Sequence, residues 1–243
     1  MRRCARGLRL LPVAGLFVVL GGAFMWTLRA PPAAVDRPLP HLAAPAAADD
    51  PLRITVMGTS LTERYDWPAA AAARLQGCLG RPVALTVIAR GGAASNWGAA
   101  PAQLSALQRS RPDILLLEFT VNDADLRRRV GTAAARDNHV AIIDAARAVE
   151  PDTRVVLTTL NRARGLRALL RVRIAAYEAQ YDALARELDT GRLALGADWA
   201  RALEAGDPDA LIPDGVHPSP EAVARIVTPR VAAYLETLAA CRP

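Results

Sequence analysis

From Arg53 onward, short apolar runs alternate with longer stretches of helical periodicity. Residues 53–58, 83–89, 113–118 and 153–160 are short and rich in Val, Ile, Thr or Leu, which predicts four strands. Residues 193–195 form a weaker fifth run. Between them, 66–76, 100–108, 138–149 and 169–188 predict helices, and 219–240 predicts a closing helix. Pro68 and Pro220 fall in first turns, where a missing N–H costs nothing. The third strand is apolar at successive positions, Ile114 to Leu117, so both of its faces must be buried. Strands separated by helices pair in parallel and carry helices on both faces of the sheet. The expected class is therefore α/β, a three-layer α/β/α domain with a flavodoxin-like sheet of five parallel strands. Ligands of such sheets bind at the carboxyl ends of the strands.

The start of the chain follows another pattern. Arg2, Arg3, Arg6 and Arg9 precede an uncharged, mostly apolar run of 19 residues, 10–28. That length suits a membrane span better than a cleaved secretory core of about 7–15 residues. The early arginines predict a cytoplasmic N-terminus, which leaves the remainder outside the inner membrane, in the periplasm. Secretion after cleavage is the rival reading. Residues 30–51 are dense in Ala and Pro and read as an extended tether. The expected organisation is an anchor at 1–29, a tether at 30–51 and a catalytic domain at 52–243.

Charge narrows the function classes. All 30 basic residues are Arg, and the formal net charge is +6. Residues 1–50 hold six Arg against three Asp, so the globular part is only mildly basic. A nucleic-acid partner is not expected, because such proteins concentrate their cations on one face. Three cysteines without a paired Cys/His spacing give no reason to expect a zinc site.

Four loops carry candidate chemistry. The first strand ends in Gly58-Thr59-Ser60, where a serine leaving a strand tip can be held exposed, or can cap the next helix. After the second strand, Gly91-Gly92 can turn the chain and present backbone N–H groups. After the third, Asn122 can aim its amide at a developing oxyanion, or simply form a turn with Asp123. Near the C-terminus, Asp214-Gly215-Val216-His217-Pro218 places an acid three residues before a histidine. His41 lies in the tether and His139 at the expected start of a helix, so His217 is the best candidate general base.

Ser60, the glycine pair, Asn122-Asp123 and the Asp214–Pro218 block stand in the order and places that resemble the SGNH (GDSL-like) hydrolase family. The resemblance covers about residues 53–240. It implies a serine esterase with Ser60 as nucleophile and Asp214 and His217 as its partners. It also implies an oxyanion hole from the Ser60 N–H, Gly92 and Asn122, with Gly91 as the alternative to Gly92. Thr59 stands where the family has Asp, and Val121 where it usually has Gly. No metal or organic cofactor is implied. The expected substrate is an acyl ester, including O-acetyl esters, with envelope carbohydrate the first guess for the alcohol and lipid the second. An O-acyltransferase on the same triad and, more distantly, a non-catalytic envelope binding domain are the competing readings.

Two further expectations follow, one from a sheet order of 2-1-3-4-5 and one from the carboxyl ends of its strands. The first and last helices would share a face, which brings Cys78 and Cys241 within reach of a disulfide. Arg127-Arg128-Arg129 and Arg162, Arg164, Arg167, Arg171 and Arg173 follow strands three and four, so they would form either a cationic rim around the site, suited to an anionic polysaccharide or to membrane headgroups, or an ordinary solvated surface.

Overall fold

A computed structural model of the chain describes residues 35–42 and 50–241. Five strands, β1 (Leu52–Gly58), β2 (Val83–Ala89), β3 (Ile114–Glu118), β4 (Arg154–Thr159) and β5 (Gly191–Ala194), form one parallel sheet in the order β2-β1-β3-β4-β5. The main helices are α1 (Trp67–Leu79), α2 (Pro101–Ser110), α3 (Thr132–Arg147), α4 (Ile174–Glu187), α5 (Gly196–Ala205) and α6 (Thr228–Leu238).

Side chains alternate across the sheet, and two cores result. Ile114 and Leu116 pack with Trp67 and Leu75 of α1, Trp199 of α5 and Leu235 of α6. Leu115 and Leu117 pack on the other face with Leu107 of α2, Ile142 and Ile143 of α3 and Leu184 of α4. This explains the unbroken apolar run in β3, since a central parallel strand has no polar side. The register matters for function. Gly58 at the end of β1 lies opposite Ala89 of β2 and Glu118 of β3, so three strand tips stand side by side at one edge.

The helices differ from expectation in instructive ways. The helix expected at 138–149 begins at Thr132, after Gly131. The single helix expected over 169–188 is two, Gly165–Leu169 and α4. Between them the Arg171 side chain turns inward and donates to the carbonyls of Val121 (2.7 Å) and Arg167 (3.1 Å), which competes with helical continuation. The closing helix is divided too, with a π turn at Val223–Val227 before α6. Pro229 has no N–H to offer the carbonyl of Arg225, so the regular ladder cannot run through it.

Residues 35–42, inside the expected tether, lie against the domain. Arg37 and Arg192 exchange backbone hydrogen bonds of 2.9 and 3.0 Å across the open side of β5. Leu39 joins the core, Asp36 pairs with Arg230 at 2.7 Å, and the Leu42 N–H reaches the Leu238 carbonyl. A sheet edge with unpaired backbone groups is thereby covered. Cys78, in α1, and Cys241, just past α6, form a disulfide with Cα atoms 6.0 Å apart. Among the described residues no helix is long and apolar enough to cross a membrane. The apolar run 10–28 lies outside the described residues.

Candidate active site

The turn that carries Ser60 is built from buried polar contacts. β1 ends at Gly58, where a Cβ would stand 2.3 Å from Thr62 Oγ1 and 2.9 Å from Glu118 Oε2, so only glycine fits. A four-residue helical turn, Ser60–Glu63, follows. Its cap is Thr59, whose Oγ1 accepts from the Leu61 N–H at 3.1 Å. Ser60 is therefore released from capping, and its Oγ lies 2.8 Å from His217 Nε2. Glu118 holds the turn from beneath. Its Oε2 accepts from Thr59 N–H (3.1 Å), Thr59 Oγ1 (2.9 Å) and Thr62 Oγ1 (3.2 Å). Complete burial pushes the Glu118 carboxyl up to about 7 even against these donors.

The second component is the loop before residue 220. His217 Nδ1 lies 2.7 Å from Asp214 Oδ2. Asp214 Oδ1 also accepts from the N–H groups of Val216 (2.8 Å) and His217 (2.7 Å), which closes the loop into a tight turn. Partial burial opposes ionisation of Asp214, but the His217 backbone N–H, its ring and the Val216 N–H together bring the carboxyl down to about 2. Three outside ties fix the loop. Asn161 Nδ2 donates to the Val216 carbonyl (2.7 Å), Tyr65 Oη to the Pro218 carbonyl (2.7 Å), and the Arg164 N–H to the Gly215 carbonyl (2.7 Å). A carboxylate on Nδ1 directs Nε2 at the serine as proton acceptor. Ser60, His217 and Asp214, 157 and three positions apart, are thus joined in one chain of hydrogen bonds.

The third component lies between the tips of β2 and β3. Arg90 N–H donates to the Gly58 carbonyl at 3.3 Å, which ties the glycine turn to the turn that carries Ser60. Gly92, and not Gly91, takes the left-handed conformation, with φ of +73°. Asn122 sits in the helical turn Thr120–Asp123 directly after β3. Its Nδ2 donates to the Ala93 carbonyl at 2.8 Å, which locks the amide beside the glycine turn and leaves its second N–H to point elsewhere. Among the described residues, neither the Ser60 N–H nor the Gly92 N–H donates to a protein acceptor.

Several supporting residues were not legible as such in the sequence. Asp123, next to Asn122, is buried, and its Oδ1 accepts from the Ser95 N–H at 2.7 Å, which anchors the end of the glycine loop. Burial raises its carboxyl to about 7. His139 lies within α3 and is fully buried, not at a helix start; its Nδ1 donates to the Ala135 carbonyl (2.6 Å) and its Nε2 faces Tyr181 Oη (2.8 Å). Burial lowers it to about 4, so it stays neutral as a core residue. His41 contacts the Thr237 carbonyl at 2.8 Å. Both arginine-rich stretches reach the site. A Cβ on Gly92 would stand 2.5 Å from Arg128 Nη2, and one on Gly215 would stand 3.3 Å from Arg167 Cγ.

Comparison with known proteins identifies the family and agrees with the fold. The sequence pattern of the GDSL-like Lipase/Acylhydrolase family matches residues 55–225. No curated protein matches the chain. Among solved structures, a chain from Parabacteroides merdae described as a GDSL-like lipase superposes with a TM-score of 0.64 at 14% identity, covering 84% of this chain and 100% of its own. An acetylxylan esterase from Geobacillus stearothermophilus gives 0.63 at 15% identity, over 77% and 95%. A chain from Bacteroides fragilis described as an acylhydrolase gives 0.56 at 21% identity, over 77% and 88%. At these identities the structural likeness speaks for the fold alone, whereas the sequence pattern covers most of the chain. The protein belongs to the GDSL-like lipase/acylhydrolase family and is a carboxylic ester hydrolase.

Proposed function

We propose that the protein is a serine esterase in which Ser60, His217 and Asp214 form the catalytic triad. The observation that carries this reading is the continuous hydrogen-bonded chain from Ser60 Oγ through the His217 ring to Asp214. His217 Nε2 takes the Ser60 proton as Oγ attacks the ester carbonyl carbon. The carbonyl π electrons move to oxygen, and the Ser60 N–H, Gly92 N–H and Asn122 amide hold that oxyanion. As the tetrahedral centre collapses, the C–O bond to the alcohol breaks, and His217 returns the proton to the departing oxygen. Water then attacks the acyl-serine, losing its proton to His217, and Ser60 leaves reprotonated. Asp214, ionised far below neutral pH, stabilises the imidazolium formed in each half. No step in this sequence calls on a metal or organic cofactor.

The acyl group is proposed to be small, including acetyl, with envelope carbohydrate as the alcohol; the acetylxylan esterase among similar folds supports that choice. Exposed Leu166 and Leu169 beside the Asp214–His217 loop favour a second reading, an ester presented at a lipid surface. The disulfide supports an extracytoplasmic domain, since such bonds persist in oxidising compartments. We place it at the outer face of the inner membrane, anchored through residues 10–28.

The test is a chain-length series of nitrophenyl esters with the purified protein beside Ser60→Ala and His217→Ala. Each variant is expected to keep its circular dichroism and to lose about 10⁴-fold or more in kcat, as single losses from a triad do. A folded Ser60→Ala protein with unchanged turnover refutes the assignment. Supplying a polyol acceptor in the same assay separates hydrolysis from acyl transfer.

A further inference from the structure

The two arginine-rich stretches form one surface. The Leu126 N–H donates to the Leu170 carbonyl at 2.9 Å, which joins the turn Leu126–Arg128 to the helix Gly165–Leu169. Beneath the joint, Arg171 is 4% exposed and bonds Asp125, itself 1% exposed, at 2.8 Å. The surface is therefore built on a buried ion pair rather than on loose loops. It borders the site on two sides, with Arg128 against Gly92 and Arg167 against Gly215.

What this surface exposes is unusual for water. Six large hydrophobic residues are exposed among the described residues, and four of them lie here: Leu126 (54%), Leu166 (82%), Leu169 (64%) and Val172 (67%). Exposed leucines grouped at one place, and not scattered singly, mark a contact surface. The charge beside them has one sign. Residues 161–177 contain five Arg and no acid, and residues 126–131 contain three Arg and no acid. Arg127 and Arg171 are taken up by Asp125, Arg162 by Glu178 and Arg164 by Asp209. Among the described residues Arg128, Arg129, Arg167 and Arg173 form no ion pair.

We propose that this rim is the face by which the enzyme sits on an anionic lipid bilayer, with the Ser60 site opening toward the headgroups. The four aliphatic side chains enter the interface, and the four unpaired guanidiniums meet lipid phosphates. Charge and apolar chemistry together select this occupant. An anionic polysaccharide would satisfy the arginines and leave four aliphatic groups in water. A second copy of the chain would set arginine against arginine across a two-fold axis. A lipid surface satisfies both sets at once. The inference rests on the esterase reading and develops its second form, an ester presented at a lipid surface.

The experiment uses the full chain reconstituted into vesicles, because residues 10–28 then contribute equally to every sample. A Cys4→Ser, Leu166→Cys protein carries a nitrobenzoxadiazole label, and acrylamide quenching reports whether the label is in water. Vesicles of phosphatidylcholine are compared with vesicles containing phosphatidylglycerol. The label is expected to shift to the blue and to be shielded only with phosphatidylglycerol, while a label at Val87→Cys stays open to quencher. Replacing Arg129 and Arg173 by Gln should lower the docked-to-undocked ratio by about 30-fold, each near-surface cation contributing about five-fold. Leu169→Asp with Val172→Asp should abolish shielding. Raising salt from 0.1 to 1 M should weaken docking as the Debye length falls from about 10 to about 3 Å. Equal quenching in both lipids, equal shielding at Val87, or shielding insensitive to both sets of substitutions overturns the proposal. Turnover of a short water-soluble ester is followed in parallel. Absent docking with Ser60-dependent turnover intact refutes this inference alone, and turnover independent of Ser60 refutes the esterase reading.

Discussion

Glu118 illustrates how a side chain two strands away in sequence holds the turn that carries Ser60. Three buried donors converge on its Oε2, all from the turn that carries Ser60. Glu118→Ala would leave them without an acceptor, and each such group costs about 1–3 kcal/mol. We expect a lower thermal midpoint and weaker turnover together, with Glu118→Gln recovering part of both; unchanged stability in the alanine variant would contradict this role. Asn122→Ala tests the oxyanion assignment separately. Losing one such donor typically lowers kcat by about 10²–10³-fold, and KM should move little, which steady-state kinetics will read directly. The groups proposed to react were all legible in the sequence: Ser60, Gly92 and Asn122 directly follow β1, β2 and β3, and Asp214 and His217 stand in a Pro-bounded loop before the closing helix. Their supports were not. Tyr65, Asn161 and Glu118 reach the site across the fold, and nothing local in the chain distinguishes them from ordinary loop and strand residues.

At the scale of elements, the strands were legible and the helix limits were not. Short runs rich in Val, Ile, Leu and Thr announce β1 to β4, whereas β5 carries the charged Arg192 and begins two residues before the expected run at 193–195. Helix ends depend on competition that spacing does not reveal. Arg171 leaves the helical path to reach Asp125, and α5 follows β5 after a single residue with no cap signal of its own. The stretch at 35–42 escaped because Pro-rich composition argues for extended chain, which it has, but does not say whether that chain docks. Leu39 is part of the core. Leu39→Ala should therefore cost about 2–4 kcal/mol in denaturant unfolding, as buried leucines do. A free tether would show no change. Cys78–Cys241 joins two elements 163 residues apart. Cys78→Ser with Cys241→Ser should lower stability by about 2–5 kcal/mol, since closing so long a loop restrains the unfolded chain.

Across the whole molecule, burial of ionisable groups sets how stability follows pH. Glu118 and Asp123 are raised to about 7 in the folded protein, from ordinary values of 4.5 and 3.8. Between those values and about 7 the unfolded chain releases both protons first, so raising the pH lowers stability. His139 works the other way. It is held at about 4 against an ordinary 6.5, so in that window the unfolded chain binds one extra proton. The net difference is one proton held by the folded state between about pH 4.5 and 6.5. The thermal midpoint should fall from about pH 5 to about pH 7.5 and then level, and a rise across that range would contradict the assignment. The sheet edge is proposed to present Ser60 as the acyl acceptor. A fluorophosphonate adduct, located by mass spectrometry on the tryptic peptide 54–64, tests it most directly. We predict one adduct, on Ser60, lost in Ser60→Ala and slowed in His217→Ala. An adduct on another residue, such as Ser95, or labelling that persists without Ser60, would contradict the account.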